Sequence, residues 1–163
     1  MKHTIHNIGV ARQIAAYSDA IEVEPNLRWL LTSGTPGLAT DGNLPKDISG
    51  QAELAWKHVI SMLERAGMTV ADVVKVTQYL TRAEDIPAYG KVRTRFLGDV
   101  RPAAMLLVIP QLVRPEFLVE VEGYPRKAGQ FGVGHVLYGT KFTHEFSHPA
   151  EDRPTWDIGP KAA

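Results

Sequence analysis

The 163-residue chain contains no cysteine, which excludes disulfide scaffolds, thiolate zinc sites, iron–sulfur clusters and cysteine nucleophiles. It has no excess of either charge, with 18 Lys and Arg against 18 Asp and Glu. No run of like charges builds the concentrated positive field of a nucleic-acid binder or a polybasic membrane anchor, so neither partner is expected. Long apolar runs are missing too. The longest, Ala103 to Pro110, has the length of a buried strand and falls far short of the roughly 20 residues that cross a bilayer. Met1 to Gln13 mixes polar and apolar residues without the uninterrupted stretch of a signal peptide, and a cytoplasmic protein is expected. No Gly-x-Ser-x-Gly elbow, P-loop or dinucleotide fingerprint is present.

What remains is an ordinary globular composition, 44% apolar and 22% charged, with enough chain to bury one core. Asp19 to Val23 alternates polar and apolar residues, Pro25-Asn26 suggests a turn, and Leu27 to Thr32 resumes the extended pattern, which predicts a β-hairpin. Its second arm runs into Ser33-Gly34-Thr35-Pro36-Gly37, a loop of the kind that carries binding residues. From about Ile48 the period changes: Ala52, Ala55, Trp56, Val59, Leu63 and Ala66 form the stripe of an amphipathic helix, with Gly67 placed to cap it. Thr69 to Asp72 resembles a short capping turn, and Val73 to Leu80 is β-branched enough for a buried strand.

Asp85 stands where it would cap a second helix, with Pro87 in the first turn and Ile86, Tyr89, Val92 and Phe96 on one face. Two further strands are predicted, Met105 to Ile109 and Phe117 to Tyr124. The order ββ, α, β, α, ββ fits one sheet backed on one face by two helices, an α+β two-layer architecture. This core is expected to span residues 1–126. Residues 127–163 read as an extension whose scattered aromatic and aliphatic residues, Phe131, Leu137, Tyr138, Phe142, Phe146 and Trp156 among them, pack on the core or a neighbouring subunit rather than remain in water.

That extension holds His144-Glu-Phe-Ser-His148, a literal HExxH. The motif binds zinc only on a helix, where both histidines share a face. Here Pro149 disfavours helical geometry at His148, and in a strand the two rings would stand about 13 Å apart. The match is read as coincidental, and no metal is expected. Gly129-Gln-Phe-Gly132-Val-Gly134 has the wrong spacing for a nucleotide loop and reads as a connector. More informative are Tyr17 at the start of the hairpin, Ser33 at its end, and Glu120 and Glu122 two apart on the last core strand, hence on one face. Burying a carboxylate without a partner is costly. The pair therefore marks either a functional or interfacial face, or a solvated sheet face with Val119 and Val121 turned inward.

Approximately residues 14–126 carry a series of short motifs: Ala16-Tyr-Ser-Asp-Ala-Ile21, Leu31-Thr-Ser33-Gly34 with Pro36, Asp47-Ile48 with Gln51, Leu63-Glu-Arg-Ala-Gly67, Asp72-Val-Val-Lys75-Val-Thr77, Phe96, Arg101-Pro-Ala103 and Leu118-Val-Glu120-Val-Glu122. In their order and spacing the sequence resembles the Rid (YjgF/YER057c/UK114) superfamily, also called L-PSP endoribonucleases. The resemblance implies the chorismate-mutase-like Rid fold, about six strands in one sheet under two helices, assembled as a homotrimer around a central barrel. Its ligand sites lie in clefts between subunits, where members hydrolyse enamine and imine intermediates without a cofactor. By the same resemblance Tyr17 lines the cleft, Ser33 and Gly34 supply hydrogen bonds to a small-molecule ligand, and Glu120 places the attacking water.

The sequence departs from the family at one chemically decisive position. Deaminating members carry Arg after Pro-Ala, where its fork grips the substrate carboxylate; here Pro102-Ala103 is followed by Ala104. Arg101 and Arg114 are the expected substitutes. Thr35 also replaces a family glutamine. An enzyme acting on a C=N bond and a binding trimer that has lost catalysis are both compatible with these residues. A nuclease is disfavoured by the neutral charge and the lack of a basic stripe with interleaved aromatics.

Overall fold

The structure is a computed structural model of the chain and describes residues 3–128. It contains β1 (Thr4–His6), α1 (Ala11–Ile14), β2 (Ala20–Glu22), β3 (Leu27–Trp29), β4 (Thr35–Pro36), α2 (Ile48–Arg65), β5 (Val73–Leu80), α3 (Ile86–Leu97), β6 (Ala103–Val108) and β7 (Val119–Ala128). Five strands form one mixed sheet in the order β3-β7-β5-β6, with β4 also paired to β7; β1 and β2 form a separate pair. Helices α2 and α3 bury their apolar faces on this sheet, which gives the expected two-layer α+β fold.

The local signals explain the helices. Asp47 caps α2 by accepting the Gly50 N–H at 2.9 Å. At the other end Gly67 takes φ +65°, its N–H donating to the Glu64 carbonyl and that of Met68 to the Leu63 carbonyl. This is the Schellman closure that a glycine just past the stripe anticipates. Thr69 and Asp72 form the expected capping box. At α3 the start is placed correctly but the cap is not. Asp85 is itself helical, since a 3₁₀ turn runs straight into α3, and its carboxylate accepts from Arg82 Nε at 2.8 Å instead.

The hairpin predicted for Asp19 to Thr32 does not form. β2 pairs with β1, and β3 pairs with the far end of β7. Proline fixes φ near −65°, so Pro25-Asn26 cannot adopt the doubly positive φ of a type I′ hairpin turn; only Asn26 is positive, at 63°. The β1–β2 pair is fastened instead by Asp19, whose carboxylate accepts the N–H groups of Ile8, Gly9 and Ala11. Between the two late strands lies β5, parallel to β6 and antiparallel to β7. β7 runs on through Ala128. The remainder of the proposed extension, with its HExxH motif, lies outside the described residues.

Inside, Val76, Leu80, Val119 and Val121 are fully buried against Ala52, Ala55, Trp56 and Val59 of α2. Trp56 stacks on Phe96 of α3 with ring centroids 6.2 Å apart. Gln51 is a buried polar clamp: its amide donates to the carbonyls of Pro45 and Glu116 and its oxygen accepts the Leu118 N–H. Gly37 lies so close to the Gln51 backbone that a Cβ there would overlap it. No side chain larger than hydrogen lets the chain pass under α2 at this point.

Candidate functional site

Strand pleating decides which residues meet. Directly opposed residues share a face, and the register sets Glu120 against Tyr79, Glu122 against Thr77 and Tyr124 against Lys75. With Val119 and Val121 turned to the helices, all six of these side chains belong to the face that the helices leave uncovered. The Lys75 ammonium lies 5.6 Å from the Tyr124 ring centroid. A hydrogen bond with Glu122 pushes the Tyr124 phenol above its usual range. Met105 and Leu107, on the same face of β6 by register with Thr77 and Tyr79, are 52% and 39% exposed.

Glu120 is half-buried, and desolvation raises its carboxyl above the ordinary value. It sits directly on the glycine loop: a Cβ on Gly34 would stand 2.6 Å from Glu120 Oε2. Gly34 therefore lets the backbone approach the carboxylate, which joins Glu120, Gly34 and the adjacent exposed Ser33 into one group. The Ser33 carbonyl accepts from Thr35 Oγ1 at 3.0 Å. A carboxyl with a raised pKa beside an open loop is suited to taking a proton from water and returning it.

Tyr17 lies elsewhere. Ser18 donates to the Arg101 carbonyl at 2.6 Å and bridges to Ala103, which holds the Tyr17 segment against the start of β6. There Tyr17 borders a cavity of about 390 Å³ together with Gln78, Arg93, Ala104 and apolar side chains. Glu120 does not line it. Within one chain the expected pair Tyr17 and Glu120 is thus divided between two surfaces.

Of the expected substitute arginines, Arg101 spends its guanidinium on the carbonyls of Gly98 and Val100, at 2.6 and 3.1 Å, closing the end of α3. Arg114 is exposed and lies over the Phe117 ring at 5.5 Å. Neither borders the Ala104 cavity. The guanidinium that does is Arg93, which sequence reasoning missed. Its signal was faint: a basic residue four positions after the buried Tyr89, on the flank of the α3 stripe. Among the described residues no cluster of three or more acidic or histidine side chains is assembled that would hold a metal ion. None of their helices is long and apolar enough to cross a membrane.

A family model described as Endoribonuclease L-PSP matches residues 9–126. A RutC family protein of Pyrococcus horikoshii is 29% identical over 129 residues, which is 78% of this chain and 99% of that protein. An Escherichia coli protein named as a reactive intermediate deaminase, TdcF, is 30% identical over 71 residues, 43% of this chain and 55% of its own length. The crystal structure of Rv2704 from Mycobacterium tuberculosis, described as a member of the YjgF/YER057c/UK114 family, matches with a TM-score of 0.54 at 26% identity, covering 76% of this chain and 98% of that one.

Proposed function

Because the chain belongs to the endoribonuclease L-PSP family, which is the Rid or YjgF/YER057c/UK114 superfamily, we propose that it is a cofactor-independent hydrolase of enamine- or imine-type C=N bonds in a small metabolite. The observation that carries this reading is the desolvated Glu120 carboxyl set against the Gly34 loop. Glu120 takes a proton from water as the oxygen bonds to the imine carbon, then returns it to the nitrogen. Glu120 next takes the proton of the new hydroxyl and passes it to the amine as the C–N bond breaks, which leaves a carbonyl compound and ammonia. The division of Tyr17 and Glu120 between two surfaces of one chain supports a reaction in a cleft between copies of a homotrimer, and the proposed enzyme acts in the cytoplasm. Ser33 supplies a hydrogen bond to the ligand. The match to TdcF, a protein named as a deaminase, supports this chemistry.

Ala104, in place of the deaminases' arginine, favours a second reading, a trimer that binds a small ligand without turnover. The two are separated by a coupled assay with freshly generated iminoacids, comparing the protein with Glu120→Ala. Loss of a positioned general base is expected to slow ammonia release by about 10²–10⁴-fold. Equal rates for both proteins, or no rate above buffer, would remove the catalytic reading. Light scattering at micromolar concentration tests the assembly, which a monomer would refute.

A further inference from the structure

We propose that Arg126 forms, with Asp72 and His3, a binding site for a small oxyanion that still carries a proton, such as hydrogenphosphate. Arg126 is only 3% exposed, and a buried guanidinium is rarely found without a paired acid. Here none is present. Among the described residues no carboxylate forms an ion pair with Arg126, and no acceptor takes a hydrogen bond from its side chain. The Nε is sealed inside the protein and plays no part, but the two terminal nitrogens are not sealed in this way and are free to donate. The residue borders a cavity of about 190 Å³ together with His3, Ala71 and Asp72. That is smaller than the roughly 300–1,000 Å³ of sites for drug-sized ligands, so an ion is the occupant that fits.

The strand explains how the site is built. By the alternation of β7, Arg126 belongs to the same face as Glu120, Glu122 and Tyr124, but it stands about 20 Å from Glu120 along the strand. At this end β5 carries an extra residue, Val74, between the pairs Val73–Pro125 and Lys75–Tyr124. Such a bulge bends its strand, and the 3₁₀ turn that precedes it, Val70–Asp72, lies against β7 and brings Ala71 and Asp72 to the arginine. Asp72 then decides which anion fits. Its Oδ2 accepts the Thr69 N–H at 2.8 Å and the Thr69 hydroxyl at 3.3 Å, while its Oδ1 has no donor. A guanidinium only donates and a carboxylate only accepts, so a ligand between them must accept at one end and donate at the other. Sulfate would satisfy Arg126 and turn lone pairs toward Asp72. Hydrogenphosphate meets both, accepting charge-assisted bonds from the guanidinium and donating its O–H to Oδ1. A phosphate ester has largely lost its last proton at neutral pH, so the free ion is the form this pair of groups selects.

The test titrates inorganic phosphate, sulfate and phenyl phosphate into the full-length protein by calorimetry, at matched ionic strength and about pH 7.5, where only the first keeps a proton. Phosphate is expected to bind once per chain, and the other two at least about tenfold more weakly, because they leave the Asp72 oxygen facing lone pairs. Arg126→Met, which fills the space without a charge, should weaken phosphate binding about tenfold to a hundredfold, with its melting transition reporting that it is folded. Asp72→Asn leaves the core untouched and supplies an amide donor, so sulfate should bind it more tightly than it binds the parent, and the preference for phosphate should vanish. The proposal is overturned if phosphate fails to bind at millimolar concentration, if sulfate or phenyl phosphate binds the parent as phosphate does, if folded Arg126→Met binds like the parent, or if Asp72→Asn keeps the parent's preference. The site shares no residue with the Glu120 reaction. Iminoacid hydrolysis is therefore expected to be unchanged in Asp72→Asn, and either reading can fail while the other stands.

Discussion

The two faces of the five-stranded sheet are made by the same strands, offset by one residue, and they differ in nearly every physical respect. On the covered face Val76, Leu80, Val119 and Val121 are fully buried, and the polar Gln78 is satisfied at both ends. On the uncovered face the alternate positions hold Lys75, Thr77, Tyr79, Glu120, Glu122 and Tyr124, interleaved with exposed Met105 and Leu107. The covered face carries stability through apolar area removed from water. The uncovered face carries titratable groups whose protonation is tuned by their neighbours. A period of two thus sets core and chemistry side by side, so a substitution at one position strikes the fold and at the next strikes the site.

The comparison is broken most severely where the covered layer is tightest. Gly37→Ala would force a Cβ into the Gln51 backbone, and a loss of roughly 3 kcal/mol or more is expected, visible as a collapse of the urea midpoint. An unchanged midpoint would show that α2 is free to shift. Leu80→Ala, on the same layer, should cost about 2–5 kcal/mol, whereas Leu107→Ala on the open face should cost under about 0.5 kcal/mol in the single subunit. A larger cost at Leu107 that grows weaker with rising protein concentration would instead reveal that the open face is buried in an assembly.

Tyr89→Phe probes the polar part of the covered layer. Burial drives the Tyr89 phenol far up, so it stays a neutral donor to Gln78, and removing it leaves the Gln78 oxygen unsatisfied at a cost of about 1–3 kcal/mol. A neutral result would mean that Gln78 finds another donor.

The smallest effect belongs to Glu120, and it has the opposite sign. Its folded-state pKa is raised, so the folded chain holds a proton that the unfolded chain has already released. Stability from this group therefore falls as pH rises from the ordinary carboxylate value through the folded one, and stays lower above it. Glu120→Gln should melt at or slightly above the parent at neutral pH and lose that advantage below about pH 4. A variant melting clearly lower at neutral pH would contradict the desolvation of this carboxyl.

Much of the fold was legible because its signals are local. The α2 stripe, the glycine at its end and the full extent of β5 all follow from residues within one or two turns of each other, where side-chain period and backbone φ act directly. The shared face of Glu120 and Glu122 follows from the same rule, and so does the inward turn of Val119 and Val121. What the pattern could not supply was partnership at a distance. Which strand receives Leu27 to Trp29 depends on the end of β7, about a hundred residues later, and the Ala104 cavity brings together α1, the Tyr17 segment, β5, α3 and β6.

The six proposed site residues show the same division. Glu120, Gly34 and Ser33 come together because β4 pairs with β7, whereas Tyr17 is carried to another surface by the bridge from Ser18 to Ala103. Arg101 and Arg114 looked close to Ala104 in sequence, but one closes a helix end and the other lies on Phe117. Arg93, eleven residues before Ala104, is the guanidinium at the cavity, since a helix crossing over a parallel strand pair returns its buried flank to the strand that follows. Sequence alone determined the alternation, the helix faces and the shared face of Glu120 and Glu122, because these are set by neighbours along the chain. Tertiary structure alone decided which charge faces which cavity, because that depends on the register of strands and the crossing of helices.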